Sequence, residues 1–171
     1  MSFIKVSSLD HIRGNNNAPI ELIEYGDFQC LYCGQAYLII KNIQKKLGKN
    51  LKFVFRHFPL EEIHPNALHA AIAVETAAIH GKFWEMHDIL FENQDNLDDS
   101  HIIRYAEKIG LNLRVFEKEF GSQSTIDKVE YDIGSGNRAC IQKTPTFFIN
   151  GSLFLGNWRD ASLEECLQSL I

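Results

Sequence analysis

The run IELIEY at residues 20–25 is apolar enough to be covered on both faces of a strand. Behind it the pattern turns helical. From residue 31 to 47, apolar side chains recur at Ala36, Ile40, Ile43 and Leu47, the i, i+4, i+7, i+11 spacing that buries one helical face. Lys41, Lys45 and Lys46 lie toward the C-terminal end, where the peptide dipoles favour cations, and Gly48 offers a stop. Residues 51–56, LKFVFR, read as a second strand. Strand, helix and strand in such close succession require a sheet with helices packed on it, which places the chain in the α/β class.

The texture then changes. Residues 61 to about 140 carry helical patterns and almost no strand signal. The alanine-rich segment 66–80 ends at Gly81, and shorter amphipathic helices are expected over 83–91 and 100–109, the latter capped by Asp98, Asp99 or Ser100. Further helices are expected over 113–120 and 123–133. Strand signals return after Thr144: TFFI, then Asn150-Gly151, then SLFL is a hairpin signature, since Asn-Gly supplies the two positive φ values of a type I′ turn. A last helix over 161–170 opens with Ser162 and Glu165 at capping-box spacing. The order is β-α-β, a helical block, then β-β-α, without repeat, low-complexity tract or linker. The expectation is a single domain over 1–171 with a helical insertion at about 61–140.

Composition excludes several functions. At 171 residues and 45% apolar content the chain can build one core, while a net charge of −5 without a Lys/Arg block disfavours nucleic acid as a partner. No apolar run approaches the roughly 18 residues a membrane span needs. The N-terminal stretch lacks the apolar core of a secretory signal. As the sequence stands, the expected location is cytoplasmic; removal of a leader would make it periplasmic or extracytoplasmic. Four cysteines are too few for a disulfide scaffold.

Two of those cysteines, Cys30 and Cys33, bracket Leu31 and Tyr32 where the first strand hands over to the helix. A thiolate at Cys30 would face the unpaired N–H groups of the first turn, which lower a cysteine pKa below its free value of about 8.5. Cys33, one turn further in, is placed to resolve a mixed disulfide formed at Cys30. Zinc sites use the same spacing but need four ligands and usually a second close pair; none follows here, and the candidates His57 and His64 lie beyond a strand. Two incidental small residues are the remaining alternative.

In an extended strand Glu24 shares a face with Ile20 and Leu22, so it is expected to be partly buried with a raised pKa, close enough to handle the Cys33 proton. A glutamate turned to solvent is the alternative. Pro145 opens a strand, a place where proline is tolerated without any function. A cis Thr144–Pro145 bond would bring the Thr144 backbone beside the cysteines, free to pair with an extended peptide.

These residues together resemble a known family. The strand with Glu24, the C-x-x-C at a helix start, the helical insertion and Thr-Pro before a hairpin are similar to the thioredoxin fold. FRHFPL followed by HPNA, GKFWEMHDILFENQ and TPTFFING look like the DsbA-like branch of thiol–disulfide oxidoreductases, over about residues 18–170. The resemblance implies an exposed nucleophile at Cys30, a buried resolving thiol at Cys33, a buried acid at Glu24 and a cis-proline at Pro145 with Thr144 beside it. It implies exchange with thiols and disulfides of protein substrates and with an unidentified redox partner. No bound cofactor or metal is needed, because the dithiol carries the two electrons.

One departure stands out. Strongly oxidising members carry proline and histidine between the cysteines, whereas Leu31 and Tyr32 stand here, so a less stabilised thiolate and a lower potential are expected. Oxidase, reductase and isomerase remain open, as do a zinc module and a glutathione- or small-molecule-binding relative. No dimerisation segment is visible, and a monomer is expected. Cys166, Phe83 and Trp84 read as core residues, Cys140 as a small packed residue with a second redox role as alternative, and His64, His69, His80 and His87 as helix-surface or capping residues.

Overall fold

The computed structural model describes residues 3–171. Among them a five-stranded sheet runs in the order β1-β3-β2-β4-β5. Its centre is β2 (Ile20–Gly26), parallel to β3 (Leu51–His57) on one side and antiparallel to β4 (Thr146–Ile149) on the other. Both faces of β2 are covered, as its unbroken apolar run requires. Ile20 and Leu22 join the larger core with α1 (Leu31–Leu47), while Ile23 and Tyr25 join a second cluster with Val54, Phe58, Ile141 and Phe148. On α1 the residues Ala36, Ile40, Ile43 and Leu47 are buried as their spacing demands, together with Cys33 and Tyr37.

Five helices lie between β3 and β4: α2 (Ala67–Ile79), α3 (Phe83–Phe91), α4 (Asp99–Lys108), α5 (Leu113–Glu119) and α6 (Gln123–Arg138). The small side chains of Ala70, Ala71, Ala73 and Ala77 let α2 be buried around nearly its whole circumference, against α3 and α6. Asp98 caps α4, its carboxylate accepting from the Ser100 and His101 amides. The chain ends in β5 (Ser152–Leu153) and α7 (Ser162–Gln168).

Four local features depart from the sequence expectation. An edge strand, β1 (Ile12–Gly14), pairs antiparallel with β3; three residues carry no periodicity of their own, and the open edge of β3 templates them. The hairpin has the expected positive φ at Asn150 (47°) and Gly151 (84°), but β5 stops after two residues and Leu155 is exposed. The capping box at Ser162 and Glu165 does not form: Ala161 is already helical and the Asp160 carboxylate accepts from the Ser162 amide at 2.8 Å. Helix α6 runs five residues past Ile133 because tertiary contacts overcome a poor helix-forming sequence. Ser135 Oγ meets the Tyr25 hydroxyl at 2.7 Å, and Gly136 lets Phe58 approach so closely that a Cβ would sit 2.6 Å from its ring.

Polar contacts at buried Arg56 and Glu75 tie the N-terminal segment to this frame. Arg56 reaches Asp10 through two hydrogen bonds of 2.7 and 2.8 Å and the Tyr25 hydroxyl through a third. His57 and His11 each hold one oxygen of Glu75, at 2.8 and 2.9 Å. The contrast between two glycines of α6 follows from packing. Gly136→Ala is expected to destabilise the protein by roughly 1–3 kcal/mol through overpacking against Phe58. Gly134→Ala, whose Cβ would meet only the tip of Arg138, is expected to be neutral or stabilising by up to about 1 kcal/mol. Urea melts of the two variants check this.

Candidate active site

Residues 27–29 carry the chain from β2 to α1, and Cys30 occupies the N-cap position with an extended backbone (φ −73°, ψ 119°). This turn is held from three directions. Asp27 is buried, its Oδ1 accepting from the Gln29 amide at 2.8 Å while Oδ2 accepts from the Leu60 amide at 2.8 Å and pairs with His64 Nδ1 at 2.7 Å. Gln29 Oε1 accepts from the Asn66 amide at 2.7 Å. From the end of α3, Gln94 Nε2 donates to the carbonyls of Phe28 and Cys30 at 2.8 and 2.9 Å. Gly34 makes room for that amide; a Cβ there would collide with it.

The two thiols are free and differ sharply in environment. Cys30 retains 6% exposure, whereas Cys33 is wholly buried with the Asp27 amide 3.4 Å from its sulfur. A hydrogen bond from the Cys33 thiol is the main force holding the Cys30 pKa down to about 5, ahead of the nearby Thr144 side chain and the Cys33 and Tyr32 amides; burial opposes it. Burial and that same hydrogen bond push the Cys33 thiol well above its ordinary value.

Glu24 lies on the sheet face that carries the cysteines, between Phe55 of β3 and Phe147 of β4. It is 2% exposed, and its Oε1 has no hydrogen-bond partner within the protein. Burial among apolar neighbours raises its pKa to about 8, and negative charge on Cys30 adds to the rise. The burial expected from strand alternation is therefore complete rather than partial.

The Thr144–Pro145 bond is cis, and the Thr144 carbonyl lies 3.5 Å from the Cys30 sulfur. Tertiary structure thus brings all five residues singled out in the sequence, Glu24, Cys30, Cys33, Thr144 and Pro145, to one place. Pro145 also lines a groove of about 420 Å³ with Cys140, Thr146, Phe147, Leu155 and Trp158. Leu31 and Tyr32 project outward beside the site, and the Arg159 guanidinium stacks 4.3 Å from the Tyr32 ring centroid.

Cys140 is exposed on the groove wall with φ 58°, not packed as expected; it follows directly on the end of α6 and starts the loop toward Thr144. Cys166 packs against the main core, as its helical spacing indicated. His87 departs from its surface reading, for it is 2% exposed within an aromatic shell that includes Phe28, Phe55 and Phe91. Phe91 shares its helix, but Phe28 and Phe55 come from the β2–α1 turn and from β3, so its local pattern alone does not mark it as inward. Asp27, Gln94 and Arg159 also escaped the sequence reading. Only Gly34, a glycine inside the first turn of a helix, hinted at a close neighbour.

Among the described residues, His57, Glu75 and Asp132 form the one cluster of metal-binding side chains close enough to share an ion, and neither cysteine belongs to it. Lys128 Nζ lies 2.6 Å from Asp132 Oδ1 and 4.0 Å from Glu75, so a lysine already supplies the positive charge.

A family model described as thioredoxin matches residues 7–169. Two sequence relatives are named Na(+)/H(+) antiporter NhaA 1 from Mycolicibacterium vanbaalenii and NhaA 3 from Salinispora tropica. They are 41% and 37% identical, each over 94% of this chain but only 26% and 24% of their own length. The chain therefore spans about a quarter of the curated relatives it matches, and no helix among its described residues is long and apolar enough to cross a membrane. Oxidised BdbD from Bacillus subtilis superposes with a TM-score of 0.85 at 23% identity, covering 99% of this chain and 96% of that one. The thiol-disulfide exchange protein α-DsbA2 from Wolbachia pipientis does so with a TM-score of 0.81 at 21% identity, covering 96% and 89%. Sequence and superposition agree over almost the whole length, and the chain belongs to the thioredoxin family, with the DsbA-like form of its fold.

Proposed function

We propose that this chain is a thiol–disulfide oxidoreductase acting on protein substrates, with Cys30 as nucleophile and Cys33 as resolving thiol. The observation that carries the proposal is the split between the two sulfurs: Cys30 is drawn to about 5 while Cys33 is pushed well above its ordinary value. Only one of them is a thiolate at neutral pH, and it is the one with access to solvent.

In the first step the Cys30 thiolate attacks a substrate disulfide. A Cys30–substrate bond forms, and the other substrate sulfur leaves as a thiolate that takes a proton from solvent. Glu24 then becomes a better base when it is needed. While Cys30 is anionic its charge helps to keep Glu24 protonated; in the mixed disulfide that charge is gone and the carboxyl ionises more readily. Glu24 accepts the Cys33 proton, the Cys33 thiolate attacks the Cys30 sulfur, and the second substrate sulfur departs. The protein ends as a disulfide and the substrate as a dithiol. The same steps reversed oxidise a substrate dithiol.

Substrate chains lie along the groove beside cis-Pro145, with the Thr144 backbone as the nearest edge for an extended peptide to pair with. The direction of flow follows the stability of the reduced form. Hydrogen bonds from Cys33 and the first-turn amides do here what an imidazolium between the cysteines would do, so the reduced form is favoured and the protein is drawn toward accepting electrons. Equilibration with glutathione buffers measures this directly; a potential at or below that of a general cytosolic reductant would reverse the assignment of direction.

Two outcomes test the chemistry. Alkylation of Cys30 with iodoacetamide is expected to rise tenfold per pH unit up to about 5 and then level off, since below its pKa the thiolate fraction falls with each added proton. A rise continuing to about 8.5, the value of a free thiol, would overturn the proposal. Glu24→Gln is expected to leave the first attack near its original rate and to slow resolution of the mixed disulfide by ~10²-fold, the lower end of general-base contributions, in rapid-mixing single turnovers.

A further inference from the structure

Behind Glu24, away from the cysteines, lies a cavity of about 10 Å³ lined by Glu24, Gln44, His87 and Tyr37 together with the partly exposed Arg13 and Lys41. Five buried side-chain polar atoms among the described residues lack a partner within the protein, and three of them belong to residues of this wall: Glu24 Oε1, Gln44 Nε2 and His87 Nε2. A space of ~10–15 Å³ is what one water molecule occupies, and a buried water needs two to four polar partners. These three atoms supply that number with complementary chemistry. Glu24 accepts, Gln44 donates, and His87 Nε2 accepts when the proton sits on Nδ1.

The other side of the ring fixes that tautomer. His87 Nδ1 lies 2.9 Å from Asp88 Oδ1, and a carboxylate can only accept. Asp88 in turn receives both terminal nitrogens of Arg13, at 2.9 and 3.0 Å, and its side chain is 26% exposed. Beyond Glu24, a path of hydrogen-bonding groups therefore runs to the surface: the cavity, His87, Asp88.

We propose that Glu24 and His87 share one buried water, and that His87, backed by Asp88, conducts the Cys33 proton between Glu24 and solvent. The inference rests on the reading of Glu24 as the base for Cys33. Without such an exit a carboxyl sealed among Phe55, Phe147 and Phe91 could not release the proton that it carries at rest, and the mixed disulfide would find no base. In the transfer, the water gives a proton to Nε2 as it takes one from Glu24, and the Nδ1 proton passes to Asp88 and out. No bond other than N–H and O–H changes, and the histidine returns to its starting tautomer when the path runs the other way, as the Cys30–Cys33 disulfide is reduced again and a proton is taken back up from solvent. His87 is thus a positioning residue that acts through Glu24.

The energetics allow this. Burial lowers the His87 pKa to about 4, ahead of the opposing hydrogen bond to Asp88, against about 8 for Glu24. A difference of about four between the two values makes proton transfer to the imidazole unfavourable by a factor of about 10⁴. Set against an attempt frequency near 6 × 10¹² s⁻¹, that still leaves transfer at up to roughly 6 × 10⁸ s⁻¹, far faster than typical turnover. The titratable or charged groups that face the ring are Glu24, Tyr37, His57, Asp88, Arg13 and Lys41.

The test compares single-turnover resolution of a Cys30 mixed disulfide in the intact protein, His87→Gln, Gln44→Leu and Glu24→Gln, across pH and in heavy water. His87→Gln and Gln44→Leu are expected to slow resolution at least fivefold and to enlarge its solvent isotope effect, with the alkylation profile of Cys30 unmoved. If both match the intact protein within twofold while Glu24→Gln is slow, the relay is wrong and Glu24 as base survives. If Glu24→Gln is also unaffected, the underlying reading of Glu24 fails. A readout independent of turnover is ¹⁵N NMR of His87 at neutral pH. A neutral ring protonated at Nδ1 is expected, and a proton on Nε2 would overturn the proposal.

Discussion

Cys30 and Glu24 are two acids in one poorly hydrated pocket, and their negative charges cannot comfortably coexist there. The structure settles the competition in favour of sulfur. Cys30 sits at the mouth of α1, where a thiol and two amides point at it, whereas Glu24 is walled by phenylalanines with one oxygen unpartnered. The three ionisations are linked, because the Cys30 charge raises Glu24 and the Glu24 charge raises Cys33. Covalent capture of Cys30 removes one charge and frees the carboxyl. The reactive state of each group is thereby linked to the stage that the other has reached.

That arrangement depends on the turn between β2 and α1 staying in place, and the inserted helices hold it. Gln94 grips two of its carbonyls from the end of α3, and the turn leading into α2 adds the His64 and Asn66 contacts. A carbonyl at an N-cap already serves the first helical bond, here to the Gly34 amide, and the Gln94 amide adds a second donor to the same oxygen. The insertion is therefore part of the site's frame as well as cover for one sheet face. It also contributes His87 and Asp88, which place a polar path inside an otherwise aromatic layer.

Much of this was readable along the chain because it depends on local periodicity. The α1 face, the β2 and β3 runs and the Asn150-Gly151 turn each follow from spacing within a single element, and each stands where its spacing put it. What could not be read depends on partners far away in sequence. The edge strand β1 exists only because β3 offers free hydrogen-bonding groups, and the last turn of α6 only because Tyr25 and Phe58 receive Ser135 and Gly136. His87 looks like any polar residue on an amphipathic helix until Phe28, Phe55 and Phe91 close around it.

By itself the sequence determined that a dithiol would open a helix behind a buried strand, since helix starts and buried strands are written in short-range patterns. Only the folded chain decided how that dithiol is tuned. Cys30 meets Thr144 across 114 residues of sequence and Glu24 meets the ring of α3 through a shared cavity. A pKa responds to every charge and dipole within a few ångströms, whatever their separation along the chain, and such distances exist only after packing.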